Sequence, residues 1–216
     1  MNRLTKLAIA VSALTAAVCA YAGPYTIGQS VSVTETGVSP TRIVTIWSST
    51  LGTQTVYAGV THFSINGTAA TGFCIDPYQW SSGSSQQYTV ADLATAPIPA
   101  MGTTAAALVN SLWAGYYQQA LTNADTAAGL QIAIWETVAG SNFSISGSDY
   151  GAAAMLAYAS QHAADAGLVA LTSRSYQDYV VQNVDDNALT LALLGVGLIA
   201  LVVAAPKLHP ALVRHD

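Results

Sequence analysis

The run 188–205 carries no charged residue over 18 positions, and nothing constrains this chain more. At about 1.5 Å of rise per residue such a helix covers about 27 Å, close to the hydrocarbon thickness of a bilayer. Its all-round apolarity argues against a surface helix, whose polar face would interrupt the run. Asp185 and Asp186 precede the run, while Lys207 and Arg214 follow it. Cations stay on the cytoplasmic side, so the sequence predicts a transmembrane helix with a short cytoplasmic tail, 206–216, and the bulk of the chain outside. At the other end, Arg3 and Lys6 precede an apolar stretch and then Ala20-Tyr21-Ala22. That order reads as a secretory signal peptide, 1–22, cut before Gly23. The fold is therefore expected to lie within 23–187, one exported domain held at the cell envelope or surface.

Charge and cysteine usage narrow what that domain does. Between 23 and 187 only Arg42 and Arg174 are cationic, against ten carboxylates, a net of −8. Nucleic acid is an improbable partner for such a surface. The same stretch contains no lysine. With Cys19 lost in the signal peptide, Cys74 is the single thiol of the mature chain. One cysteine cannot form an internal disulfide, so Cys74 is inert and buried, paired between chains, or chemically used.

The pattern of residues changes midway. Segments 25–34, 41–48 and 53–65 alternate Val, Ile, Thr and aromatic residues with polar ones, and read as strands separated by Gly and Ser-Pro breaks. Asn66-Gly67 marks a hairpin into a further strand, 70–76, which carries Cys74. A Ser, Gly and Gln loop, 77–87, follows. Segment 103–121 then spaces Leu108, Leu112 and Tyr116 by four, with Val109, Trp113 and Tyr117 beside them, as a helix. Two more helices are expected over 125–138, with Asp125 as N-cap, and over 148–164; segment 168–181 returns to β-type residues. Strands first, helices later and a closing strand predict an α+β fold. Its expected form is an N-terminal antiparallel sandwich or barrel-like region with a helical insertion.

Two residues in this layout are out of place. On the helix over 125–138, positions three, four and seven apart put Gln131 in one stripe with Ala127, Ile134, Trp135 and Val138. A buried amide must be fully hydrogen-bonded, and taken alone Gln131 reads as a satisfied core glutamine. Cys74, between Phe73 and Ile75, taken alone reads as a buried inert thiol. Taken together they suggest a joint answer: a thiol and a carboxamide in contact can condense, releasing ammonia and leaving a thioester.

Phe73-Cys74-Ile75-Asp76 and Leu130-Gln131-Ile132-Ala133-Ile134-Trp135-Glu136 resemble the two signature segments of the Cys-Gln thioester domain of bacterial surface proteins. The segment from Tyr57 to Cys74 is similar to the lead-in strands of such domains. Ser175-Tyr176-Gln177-Asp178-Tyr179 resembles the stretch ahead of a PEP-CTERM-type anchor, although Val184-Asp185-Asp186-Asn187 stands where that pattern has Val-Pro-Glu-Pro. The resemblance implies a cross-link between Cys74 and Gln131, shielded by Phe73, Ile75, Ile134 and Trp135. A surface nucleophile, an amine on a macromolecule, would attack the acyl carbon and leave the protein attached through Gln131. That is a single-use, adhesin-like reaction without turnover and without a cofactor.

Two other readings remain beside it. One is a non-reactive structural or matrix protein of the envelope with the same fold. The other is a Cys-dependent hydrolase, which would need His62 or His162 beside Cys74. No His, Cys or carboxylate pair falls at a metal-ligand spacing.

Overall fold

Alternating β-branched and polar residues make the first half of the chain extended, and a computed structural model describes residues 24–97 and 99–183. Strand β1 spans Ser30–Ser48, β2 Gly52–Ile65 and β3 Thr68–Cys74. Strand β4 spans Gln86–Asp92, β5 Phe143–Ser146, β6 Leu168–Thr172 and β7 Tyr179–Gln182. Helix α1 covers Gly102–Ala120, α2 Ala124–Ala139 and α3 Ala152–Ala159. Among the described residues the fold is α+β, one antiparallel seven-stranded sheet with three α-helices. The expected signal peptide and transmembrane helix lie outside the described residues. Among those described, no helix is long and apolar enough to cross a membrane.

The strands run in the order β2-β3-β7-β6-β4-β1-β5, and β1 also pairs with β2. Six strands therefore form a closed ring of pairings, with β5 added beside the far end of β1. Closure depends on β1 serving several neighbours along its length. Ser30 to Val33 pair with β4, Val33 to Ser48 with β2, and Thr45 to Ser48 with β5. The sequence breaks at Gly37 and at Ser39-Pro40 do not end the strand, as they were expected to. They sit at register shifts between Glu35 and Gly37 and between Val38 and Thr41, where extra residues bend a strand without stopping it.

Asn66-Gly67 forms the expected tight turn from β2 to β3, with φ of 50° and 85°. Two positive φ angles match the right-handed twist of the flanking strands, which is why Asn-Gly is favoured there. The turn delivers β3 against β2 on one side and β7 on the other, so Cys74 pairs with Tyr179.

Helix α2 is the other half of the frame. Asn123, not Asp125, caps it: its side-chain oxygen accepts from the N–H groups of Asp125 and Thr126. Asp125 sits in the first turn and pairs with Arg42 at 2.7 Å, where a carboxylate also suits the helix dipole. Every residue from Thr126 to Trp135 is buried, because α2 packs against β1, β2, α1 and α3 at once. Burial over that stretch therefore extends round the whole helix, beyond the one stripe expected. Gly129 permits the approach of the following loop: a side chain there would meet the Tyr150 carbonyl.

The helix over 148–164 shortens to α3, with Asp149 accepting from the N–H groups of Gly151 and Ala153 ahead of it. Segment 168–181 is a hairpin of β6 and β7, and β4 and β5 are strands the sequence pattern did not announce.

Candidate functional site

Strand β3 and helix α2 bring Cys74 and Gln131 together in the core, 57 residues apart in sequence. The Cys74 N–H donates to Gln131 Oε1 at 3.0 Å, and Gln131 Nε2 donates to the Cys74 carbonyl at 2.7 Å. The carboxamide thus pairs edge to edge with the peptide groups of the cysteine itself. Gln131 is 1% exposed and Cys74 4%, so these bonds have no competition from bulk water. Each buried polar group here would cost on the order of 1–3 kcal/mol if left unpaired, which fixes the geometry firmly.

The sulfur has its own partners. Trp135, one helical turn after Gln131, donates its indole N–H to Cys74 Sγ at 3.1 Å. The thiol in turn lies 3.4 Å from the Asp76 carbonyl, as donor. Burial pushes the thiol pKa well above its usual value, and the Trp135 N–H pulls against that shift. An indole donor aimed at sulfur favours negative charge on that atom, as a departing thiolate would carry.

Around the sulfur the backbone is locked by two buried acids. Asp76 accepts from the Tyr78 N–H at 2.8 Å through Oδ1, while its Oδ2 is buried with no partner among the described residues. Asp178 accepts from the Ser173 N–H at 2.6 Å, and its carbonyl accepts from Ile75. Burial raises the pKa of Asp76 to about 6. It raises that of Asp178 to about 7, with the charge of Asp76 adding to the effect.

A cavity of about 210 Å³ reaches the pair from outside, lined by Cys74, Gln131 and Trp135 at its inner end. Trp80 and Tyr57 also line it and are more than half exposed. No protein-family model, curated protein or solved structure matches the chain. The resemblance to Cys-Gln thioester domains therefore rests on the sequence segments alone.

The remaining expected site residues divide. Phe73, Ile75 and Ile134 are fully buried but do not line the cavity. Phe73 points to the opposite face of β3 from Cys74 and meets Trp113 edge to face, with ring centroids 5.7 Å apart. Trp135 does line the cavity, and it is a hydrogen-bond donor as well as a wall. The histidines lie elsewhere: His62 contacts the Ser39 carbonyl, and His162 stacks on Tyr158. Among the described residues no cluster of His, Cys, Asp or Glu could hold a metal ion. The roles of Asp76 and Asp178 were missed, since a lone aspartate in a sequence carries no sign of its burial. Glu136 is half-buried, with its pKa raised by desolvation.

Proposed function

We propose that this chain is an exported, membrane-anchored surface protein that binds its target covalently, once, through an internal thioester between Cys74 and Gln131. The observation that carries the reading is the edge-to-edge pairing of the Gln131 carboxamide with the Cys74 peptide groups beside a buried thiol. In forming the bond, Sγ adds to the Gln131 acyl carbon, the thiol proton passes to nitrogen, and ammonia leaves. The product is an acyl group held as a thioester in a water-poor site. An amine that enters the cavity attacks the same carbon, the C–S bond breaks, and an amide joins target to Gln131. Trp135 supports both steps, since its N–H stabilises the sulfur while it carries charge. The absence of lysine from 23–187 leaves no side-chain amine in that stretch to consume the bond from within. The barrel-like closure of the sheet suits this role by fixing β3 on both edges.

Intact mass of the purified chain, compared with the Cys74→Ala variant, tests the reading. A native chain lighter than calculated by one ammonia, with a variant at its calculated mass, is the expected result. Methylamine then restores the lost mass plus one methylene. Full calculated mass for both chains, with a thiol that titrates on denaturation, sinks it.

One observation favours the second reading, a non-reactive envelope protein. Both polar ends of Gln131 are already satisfied by Cys74, so the glutamine can serve as a stitch between α2 and β3 without any chemistry. The same mass measurement separates the two.

A further inference from the structure

At the start of β1, ahead of its register shifts, the odd-numbered residues turn inward: Val31 and Val33 are 1% and 2% exposed. The next inward position by the period-two rule is Glu35. A carboxylate in the series that builds the core is a local violation of the pattern, and such violations concentrate where function demands them. The strand bends at this point, since the register shifts between Glu35 and Gly37. A bulge of this kind re-aims the side chain beside it.

Glu35 lines the same cavity as Cys74, Gln131 and Trp135, and it is the one charged residue in that lining. It is held in place from the reactive strand's neighbour. Tyr179, the cross-strand partner of Cys74, donates its hydroxyl to Glu35 Oε2 at 2.8 Å. That bond leaves Oε1 for an incoming donor. At the outer end, Tyr57 and Trp80 expose 62% and 54% of their surface, and aromatic faces attract cations. Anionic charge inside, aromatic faces outside and no cation in the lining describe a path for a positively charged ligand.

We propose that Glu35 recognises the attacking group as an alkylammonium ion and takes its proton. The inference rests on the thioester reading for its chemistry, and on the cavity alone for its recognition. An alkylammonium enters past Tyr57 and Trp80 and pairs with the Glu35 carboxylate. One proton moves from nitrogen to the carboxylate, which frees the nitrogen lone pair to attack the Gln131 acyl carbon. The C–S bond breaks, sulfur leaves as thiolate, and the second nitrogen proton goes to it. The products are an amide on Gln131 and a Cys74 thiol, and Glu35 returns the first proton to solvent. The target is therefore a lysine side chain or another aliphatic primary amine, and a neutral hydroxyl gains nothing from this carboxylate's charge.

The test uses Glu35→Gln in the full chain, which keeps an acceptor for Tyr179. Aminolysis is followed by intact mass at one fixed pH with n-butylamine, a cation, and with hydroxylamine, which is uncharged there. The butylamine reaction should slow roughly 100-fold and the hydroxylamine reaction by about tenfold or less. Equal losses with both nucleophiles, or no loss, overturn the proposal. A second arm removes the chemistry. Cys74→Ala keeps the backbone hydrogen bonds to Gln131, and butylamine binding to it is read by quenching of tryptophan fluorescence, with Trp80 and Trp135 in the lining. Adding Glu35→Gln should weaken that binding at least about tenfold, and unchanged binding overturns the assignment. A chain with no missing ammonia would sink the covalent reading alone, because the second arm does not need the bond.

Discussion

Cys74 engages its surroundings in two separate ways, and the two are separable by mutation. Its peptide groups are bound to Gln131, and its sulfur to Trp135 and the Asp76 carbonyl. Gln131→Ala leaves a buried N–H and a buried C=O unpaired, at a cost of roughly 2–4 kcal/mol. Cys74→Ala keeps both and should cost clearly less. Urea denaturation of the two variants checks the order, and equal losses would refute it. Trp135→Phe keeps the ring's bulk and removes the donor to sulfur. Methylamine consumption, followed by mass, should slow about tenfold or more, as expected for a lost hydrogen bond to a charged atom. An unchanged rate would show that the indole is only a wall. The sequence made Cys74 and Gln131 legible because each was anomalous alone: a single thiol, and an amide in an apolar stripe. The carboxylates were not legible in the same way. Glu35 stood in plain alternation with Val31 and Val33, but only the curvature of β1 shows that this face turns toward Cys74.

At the scale of elements, period told more than punctuation. The helical spacing that marked α1 and α2 and the Asn-Gly turn between β2 and β3 agree with the structure, because they depend on local geometry alone. Gly37 and Ser39-Pro40 looked like strand ends and are bulges, since the ring of pairings around β1 supplies partners on both sides of the irregularity. Short β5 exists only through β1, and β4 through β1 and β6, pairings that no local pattern encodes. The N-cap of α2 falls two residues before the one expected for a related reason: both Asn123 and Asp125 are good caps, and the choice between them is tertiary. Arg42 takes Asp125 and leaves the cap to Asn123. Asn123→Ala should therefore cost about 1 kcal/mol, and Asp125→Ala distinctly less, since its ion pair is solvent-exposed. Thermal melts of the two variants rank them; a larger loss for Asp125→Ala would mean that the pair, not the cap, fixes α2. Because α2 carries Gln131 and Trp135, the Asn123→Ala variant should also form the Cys74–Gln131 bond less completely.

Across the whole molecule the two loops that flank Cys74 are closed by acids whose folded form prefers to be neutral. The pKa of Asp76 is about 6 and that of Asp178 about 7 in the folded chain, against 3.8 for an ordinary aspartate. A folded state that holds protons more tightly than the unfolded chain loses stability as pH rises. Their contribution is fully present below about pH 4, declines as the unfolded carboxyls ionise, and is lost once pH has passed through 6 to 7. Over that window the pair should remove a few kcal/mol, less than the sum of two independent groups, because the charge of Asp76 is itself a cause of the shift in Asp178. Asp76→Asn mimics the protonated form and still accepts from the Tyr78 N–H. It should flatten the stability profile between pH 4.5 and 8 and leave the chain more stable than the native one at pH 8. Urea midpoints at the two pH values decide the matter: parallel profiles for native and variant would mean that Asp76 is ionised in the folded chain at both. The consequence reaches the site directly, since Asp76 offers its carbonyl to the Cys74 thiol and to Gln177 on the facing loop. Ionisation of the buried pair therefore acts on the segment whose carbonyl accepts from the Cys74 thiol. Bond formation should accordingly be more complete in chain refolded near pH 5 than in chain refolded near pH 8, unless Asp76 has been replaced by asparagine.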